Sequence, residues 1–214
     1  MSKNIYLTNN IGSNYYKKSL YLSDKVKINK FIYNILKSIN DKKDVFHSLS
    51  KKFNFDFKYS DLAKFNKYKS IILIGMGGSV LGAKALYSFC NDKIKKKFIF
   101  FDNLDQIKIE KTKKEVDLKN SLFILVSKSG NTLETLINSN LFKDKINKKN
   151  TIIITEKKTN LLNTFAKNKK ILQIDHKNFI GGRYSVLSEV GVIPAYFMGL
   201  QIKNFRKNLL SFFK

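Results

Sequence analysis

The stretch SIILIGMGGSVLGAKAL, residues 70–86, carries the pattern that decides the fold. It opens with a continuous apolar run from Ile71 to Ile74, which is typical of a strand buried on both faces. A glycine-rich turn follows, and the apolar residues after it recur at helical spacing as far as about Cys90. A strand that passes through a glycine turn into a helix is characteristic of the β-α-β unit, from which parallel sheets are built.

Four further apolar segments alternate with helical segments along the chain. Strands are predicted at residues 70–75, 97–101, 121–126, 151–155 and 171–174, and helices near 78–90, 104–115, 132–146 and 159–168. This alternation predicts an α/β fold with a five-stranded parallel sheet between layers of helices. In the strand order 2-1-3-4-5, the loops after the first and third strands lie side by side. Open α/β sheets bind ligands at such a switch point.

The regions that flank the sheet have a different pattern. Residues 1–69 show apolar residues at helical spacing from Val26 to Ile39 and no convincing strand, which predicts a helical N-terminal extension. Residues 70–200 are expected to form the sheet domain. From Ile202 to Phe213 the spacing predicts one more helix, so that residues 201–214 begin a helix leading out of the domain.

Composition limits the possible partners. The chain has 214 residues, 43% of them hydrophobic, and a formal net charge of +25, which would ordinarily suggest nucleic acid or an anionic membrane as partner. The lysines occur in short scattered runs, such as 95–97 and 148–149, so we expect neither partner. The single cysteine, Cys90, excludes an internal disulfide, and no apolar leader or membrane-length segment is found. We therefore expect a cytoplasmic protein.

The second strand-to-helix turn, within LFILVSKSGNTLETL at residues 122–136, carries hydroxyl groups. Ser127, Ser129 and Thr132 lie between the predicted strand and the next helix. Hydroxyl groups and the free backbone N–H groups of a helix N-terminus together donate hydrogen bonds to phosphate oxygens. The turn therefore predicts a phosphate site, and the sequence leaves open whether Lys128 contributes its ammonium group or only its amide.

The third turn of this kind lies in NFIGGRYSVLSEVG, residues 178–191. Gly181 and Gly182 permit a sharp turn, so that Arg183 projects toward an anion. Ser185 is the predicted N-cap of the following helix, whose apolar positions continue to Phe197.

Other chemistry-bearing residues give weaker signals. The turn after the first strand has valine in place of the third glycine of a dinucleotide fingerprint, but Asp102 is well placed for a ribose contact, so dinucleotide binding stays open. His176 is predicted to be an exposed loop histidine, and His47 to be structural. Glu134 and Glu189 are interpreted as acidic residues favoured by helix dipoles. No metal-ligand spacing occurs, and we expect neither metal nor cofactor.

Taken together, GMGGSVLGAKAL, SKSGNTLETL and above all NFIGGRYSVLSEVGVIPAYFMGL resemble the phosphoglucose (glucose-6-phosphate) isomerase family, which is built from two sugar-isomerase (SIS) domains. The resemblance covers roughly residues 70–200 and implies a three-layer SIS-type domain. It implies interconversion of glucose 6-phosphate and fructose 6-phosphate through a cis-enediol. Arg183 would stabilise the enediolate, with Gly181 and Gly182 forming its loop. The residues implied to bind phosphate are Ser79, Gly77, Gly78, Ser127, Lys128, Ser129 and Thr132.

Three parts of that family's machinery have no match in this sequence: the glutamate base, the ring-opening histidine and a C-terminal lysine. The resemblance therefore implies the N-terminal portion of an isomerase, which on its own binds hexose 6-phosphate and is inactive. It also implies a homodimer for the full-length form. A second possibility is a single-domain SIS regulator that binds a phosphosugar without catalysis, although such a protein has no evident need for Arg183.

Overall fold

The computed structural model describes residues 18–207 and 209–210, without the side chains of residues 18–23 and 205. Its centre is one parallel sheet in the order β2-β1-β3-β4-β5, which confirms the predicted order. The strand bounds are β1 Ser70–Gly75, β2 Lys97–Phe101, β3 Ser121–Val126, β4 Thr151–Thr155 and β5 Leu172–Asp175.

Nearly all residues of β1, β3 and β4 are buried, as expected for strands covered on both faces. The register pairs Leu73 of β1 with Phe100 of β2 and with Ile124 of β3. Alternate side chains of each strand enter different cores, because successive residues of a strand point to opposite faces. Leu73 and Ile124 belong to one core, whereas Ile72 and Phe123 belong to the other.

Helices cover both faces of the sheet, which confirms the predicted three-layer α/β fold. Val80 and Ile193 pack in the core of one face, and Ile109 and Leu162 pack in the core of the other. The α-helices are α1 Lys18–Ser38, α2 Tyr59–Ala63, α3 Gly78–Phe89, α4 Gln106–Glu115, α5 Leu133–Leu141, α6 Leu161–Lys169, α7 Glu189–Phe197 and α8 Ile202–Phe205. The division at residues 69 and 200 stays a prediction.

Two predicted helix bounds are wrong. Residues Gly182–Leu187 form a 3-10 helix, and Ser188, not Ser185, caps α7 by accepting a hydrogen bond from the Val190 N–H group. Ser185 has a different role, because its hydroxyl group contacts the turn after β1.

The helix predicted over 202–213 is short as well. It is α8, and a turn at residues 206–207 ends it. Residues 208 and 211–214 of that prediction lie outside the described residues. No helix in the described part of the chain has the length and apolar character that crossing a membrane requires.

Candidate functional site

The hydroxyl loop, residues 127–132, joins β3 to α5. Ser127 Oγ lies 2.9 Å from Thr132 Oγ1, and Ser129 Oγ lies 3.5 Å from each of these oxygens. Ser127 is buried whereas Ser129 is exposed, so the cluster opens to solvent on the Ser129 side. Thr132 is the N-cap residue of α5, yet its hydroxyl group makes no capping bond and contacts Ser127. Three hydroxyl groups at a helix N-terminus can donate to one anion.

The N-terminal end of α6 supports the hydroxyl loop. Gly130 has a φ of +70°, and a Cβ there would lie 1.9 Å from Asn160 Oδ1. The Leu162 N–H group donates to Gly130 O at 3.1 Å, and the Leu161 N–H group donates to Asn131 Oδ1 at 2.9 Å. Glycine is therefore required at this position, and these contacts hold the loop in the observed conformation.

The glycine turn after β1 lies beside the hydroxyl loop, because β1 and β3 are neighbours in the sheet. Gly77 has a φ of +51°, and α3 begins at Gly78. Ser79 lies in the first turn of α3 and is partly exposed. Two helix N-termini thus meet at the switch point of the sheet, where their free N–H groups favour an anion.

The arginine turn, residues 181–183, touches the turn after β1. A Cβ on Gly78 would lie 2.2 Å from the carbonyl carbon of Gly182, so the two backbones are in direct contact. The Ser185 hydroxyl group lies 3.1 Å from Gly78 O and 2.7 Å from Gly182 O, and it can donate to either. The structure therefore brings all three predicted loops to one end of the sheet.

Arg183 lies at this meeting point. Its side chain is exposed, and within residues 18–207 and 209–210 it makes no ion pair. An exposed guanidinium group without a carboxylate partner is free to contact an anionic ligand.

Residues 176–182, the crossing segment, connect β5 to the arginine turn. They run across the ends of β4 and β3, since the His176 N–H group donates to Thr155 O at 3.0 Å and Lys128 Nζ donates to Asn178 O at 2.6 Å. The prediction of an exposed His176 is wrong, because its side chain is 1% exposed. His176 continues the pairing with β4 and stays within the sheet layer. Burial lowers the pKa of its imidazole, which favours the neutral ring.

Behind the arginine turn, a buried carboxylate connects the N-terminal region to α7. Glu189 is fully buried, and its Oε1 accepts a hydrogen bond from the Asp56 N–H group at 3.0 Å and lies 3.2 Å from Lys177 Nζ. Desolvation raises the pKa of Glu189, although Lys177 opposes that shift. The Asp56 carboxylate in turn accepts hydrogen bonds from the Asp175 N–H group at 2.8 Å and from Lys157 Nζ at 2.7 Å.

Arg206 provides a second connection of this kind. Its guanidinium group donates to Leu187 O at 2.6 Å, to Ser48 O at 2.6 Å and to Ser50 O at 3.1 Å. It also packs over the ring of Phe53, at 5.2 Å from the ring centroid. One side chain thereby joins the end of the 3-10 helix that contains Arg183 to residues 48–53 of the N-terminal region.

Asp102, the residue considered for a ribose contact, is already engaged. Its Oδ2 accepts a hydrogen bond from Lys84 Nζ at 2.5 Å. Partial burial raises the pKa of Asp102, but the hydrogen bond and charge of Lys84 outweigh it and lower the pKa below the ordinary value. Val80, which replaces the third glycine of the dinucleotide fingerprint, is fully buried. Among the described residues, no three His, Cys, Asp or Glu side chains are arranged to hold a metal ion.

Sequence reasoning missed the supporting residues. Asp56 and Arg206 are distant in sequence from the arginine turn, and Lys177 belongs to no motif. Their roles depend on contacts between segments far apart in the chain, and no local pattern indicates such contacts. For Glu189 the sequence pattern indicates only an acidic residue at a helix start, and its complete burial depends on tertiary contacts.

The three loops that meet at the sheet edge belong to a segment that matches a known protein family. Residues 18–211 match the family model described as phosphoglucose isomerase. The chain belongs to the phosphoglucose isomerase family. The glucose-6-phosphate isomerase of Methanocaldococcus jannaschii is 37% identical over 150 residues, which cover 68% of this chain and 36% of that protein. The enzyme of Campylobacter jejuni is 36% identical over 146 residues, which cover 63% and 35%. The chain thus spans about a third of the length of these curated relatives.

Two solved structures share the fold of this chain. A glucose-6-phosphate isomerase from Chlamydia trachomatis superposes with a TM-score of 0.60 at 28% identity, over 70% of this chain and 30% of that one. A hypothetical protein from Thermus thermophilus superposes with a TM-score of 0.71 at 23% identity, over 88% and 48%. The second likeness concerns the fold alone. Together with the sheet order, these findings confirm the predicted α/β fold with a five-stranded parallel sheet.

Proposed function

We propose that the chain forms the phosphate-binding part of a glucose-6-phosphate isomerase site. The observation that carries this proposal is the contact of the arginine turn with the turn after β1, beside the hydroxyl loop. Ser127, Ser129 and Thr132 would donate to the phosphate, together with Ser79 and the N–H groups at Gly77 and Gly78. The exposed side of the hydroxyl cluster gives a hexose 6-phosphate access to these donors.

Arg183 would act at the other end of the sugar. Aldose–ketose interconversion moves a proton between C2 and C1, and the intermediate is a cis-enediol or its anion. A guanidinium group held at that position stabilises the negative charge as it develops on oxygen. Removing one such donor typically lowers turnover by roughly a hundredfold to a thousandfold. Among the described residues, no carboxylate forms an ion pair with Arg183, so its charge is available to stabilise the enediolate.

The chain alone is proposed to bind substrate and to turn it over negligibly, because the base carried by the family has no match here. The two buried or nearly buried glutamates near the site do not supply it. Glu189 is paired with Lys177, and Glu156 is paired with Lys128 and Lys158. A homodimer of the full-length form also stays a prediction.

Calorimetric titration of the purified chain with fructose 6-phosphate, combined with a coupled isomerase assay, tests the proposal. We expect binding that is lost in Ser127→Ala/Thr132→Ala and negligible turnover. The matched control is Ser139→Ala, which removes a buried hydroxyl group from the same region, where it donates to Thr135 O. Absence of binding to any sugar phosphate would contradict the proposal. Measurable turnover by the pure chain would contradict the proposal that the chain lacks the catalytic base.

A further inference from the structure

Lys128 is the one charged residue among those implied to bind phosphate, and its ammonium group contacts residues outside the hydroxyl loop. Its ammonium group donates to Asn178 O at 2.6 Å and lies 3.8 Å from Glu156 Oε1. Its backbone is held too, because the Glu156 N–H group donates to Lys128 O at 3.2 Å. The carbonyl group and the carboxylate therefore already engage the ammonium group, which has three N–H donors.

The carbonyl group that Lys128 binds belongs to the crossing segment. After Asn178, the segment is anchored again at Ile180, which is fully buried, and at Gly182, which contacts Gly78. The segment is therefore fixed at three points within five residues, directly before Arg183. Of these three contacts, the one from Lys128 is the charged one, and it extends from the hydroxyl loop itself. One residue before Asn178, Lys177 adds a charged contact to Glu189 on the other side of the segment, at 3.2 Å. A charged hydrogen bond is stronger than a neutral one, so the loss of the Lys128 contact should loosen the segment.

We infer that Lys128 is a positioning residue for Arg183: its ammonium group holds the crossing segment and thereby sets where the arginine faces the sugar. The inference rests on the proposed function, in which Arg183 faces the reacting end. Glu156 supports Lys128 by neutralising its charge and is itself shared with Lys158. The hydroxyl loop then contributes to both ends of the substrate, through its hydroxyl groups and through this lysine.

The test separates the two ends of the ligand. Inorganic phosphate occupies the hydroxyl loop alone, whereas a five-carbon sugar acid phosphate adds a carboxylate that imitates the enediolate near Arg183. Lys128→Met should change the affinity for inorganic phosphate by no more than about twofold. It should weaken the binding of the sugar acid phosphate on the order of tenfold. In an Arg183→Ala background, Lys128→Met should cause no further loss. Equal weakening of both ligands would make Lys128 a phosphate ligand and overturn the inference.

A second measurement needs no ligand. Hydrogen exchange of the amides of residues 176–183 should become faster in Lys128→Met. The control is Lys158→Met, which removes a lysine from the other oxygen of Glu156 but contacts no group of the crossing segment among the described residues. Unchanged exchange in Lys128→Met would overturn the inference. If the unmodified chain bound neither ligand, the proposed function would fail, and this exchange result would still decide the role of Lys128.

Discussion

The hydroxyl loop and the arginine turn both lie at the carboxyl edge of the sheet, yet they are held in different ways. The hydroxyl loop is held by contacts of Ser127 with Gly130 and Thr132 and by the start of α6, 30 residues further along the chain. The arginine turn is held by distant residues, namely Gly78, Lys128 through Asn178, Asp56 through Glu189, and Arg206. The first region depends on its own residues and the next β-α unit, whereas the second depends on contacts between segments as far as 133 residues apart.

The strongest way to break the arginine turn is Gly78→Ala. The new Cβ would lie 2.2 Å from the Gly182 carbonyl carbon, and backbone atoms cannot rotate away as a side chain can. We expect a loss of about 3 kcal/mol in the free energy of unfolding, at the upper end of typical overpacking costs. Urea denaturation measures it. The control is Gly181→Ala, where Tyr184 is the nearest neighbour at 3.5 Å and φ is −69°. Equal stability of the two variants would refute the close contact.

The next largest effect is expected from Arg206→Met, which keeps an unbranched stem but removes the hydrogen bonds to three carbonyl groups. Of these, Ser50 O still accepts a hydrogen bond from the Phe53 N–H group. The expected cost is about 2 kcal/mol, together with faster amide exchange in residues 182–191 and little change in the hydroxyl loop. Hydrogen exchange resolves the two regions. Lys207→Met, at an exposed neighbouring position, is the control. Equally fast exchange in the hydroxyl loop would mean that the two regions are not held separately.

On the side of the hydroxyl loop, Ser127→Ala should weaken phosphate binding roughly tenfold, the value of one hydrogen bond to a charged group. Ser127 Oγ also accepts the Gly130 N–H group at 3.1 Å, so some loss of stability is expected as well. Exchange in the arginine turn should stay unchanged. Calorimetric titration with inorganic phosphate measures the affinity, and unaltered affinity would show that the hydroxyl group does not contact the ligand.

The smallest effect concerns Lys84 and Asp102, which lie outside both regions. Because the pKa of Asp102 is lowered in the folded chain, its pair stabilises the fold above the ordinary pKa near 3.8 and loses that contribution as the pH falls through the lowered value. The pair is partly exposed, so Asp102→Asn should cost at most about 1 kcal/mol at neutral pH. Urea denaturation at pH 7 and pH 3 checks this. The unmodified chain and Asp102→Asn should differ less in free energy of unfolding at pH 3 than at pH 7. A difference that grows on acidification would contradict the prediction.

The sequence predicted the sheet well, because continuous apolar strands and glycine turns are local signals. It also predicted that the turns after β1 and β3 are neighbours, since strand order determines this, but strand order does not predict the contact of the arginine turn with Gly78. It placed the cap of α7 at Ser185 instead of Ser188, because both serines satisfy the local pattern and only the contact of Ser185 with Gly78 separates them. The burial of His176 and the support from Asp56 and Arg206 depend on tertiary packing, which the local pattern does not contain.

A crystal structure of the chain with bound fructose 6-phosphate tests the central claim most directly. We predict the phosphate within hydrogen-bonding distance of Ser127, Ser129 and Thr132, the Arg183 guanidinium group beside C1 and C2 of the sugar, and Lys128 still on Asn178 O. A phosphate bound away from the hydroxyl loop, for example in the lysine-lined cavity of about 610 Å³ formed in part by Lys67, Lys119 and Lys149, would contradict the account.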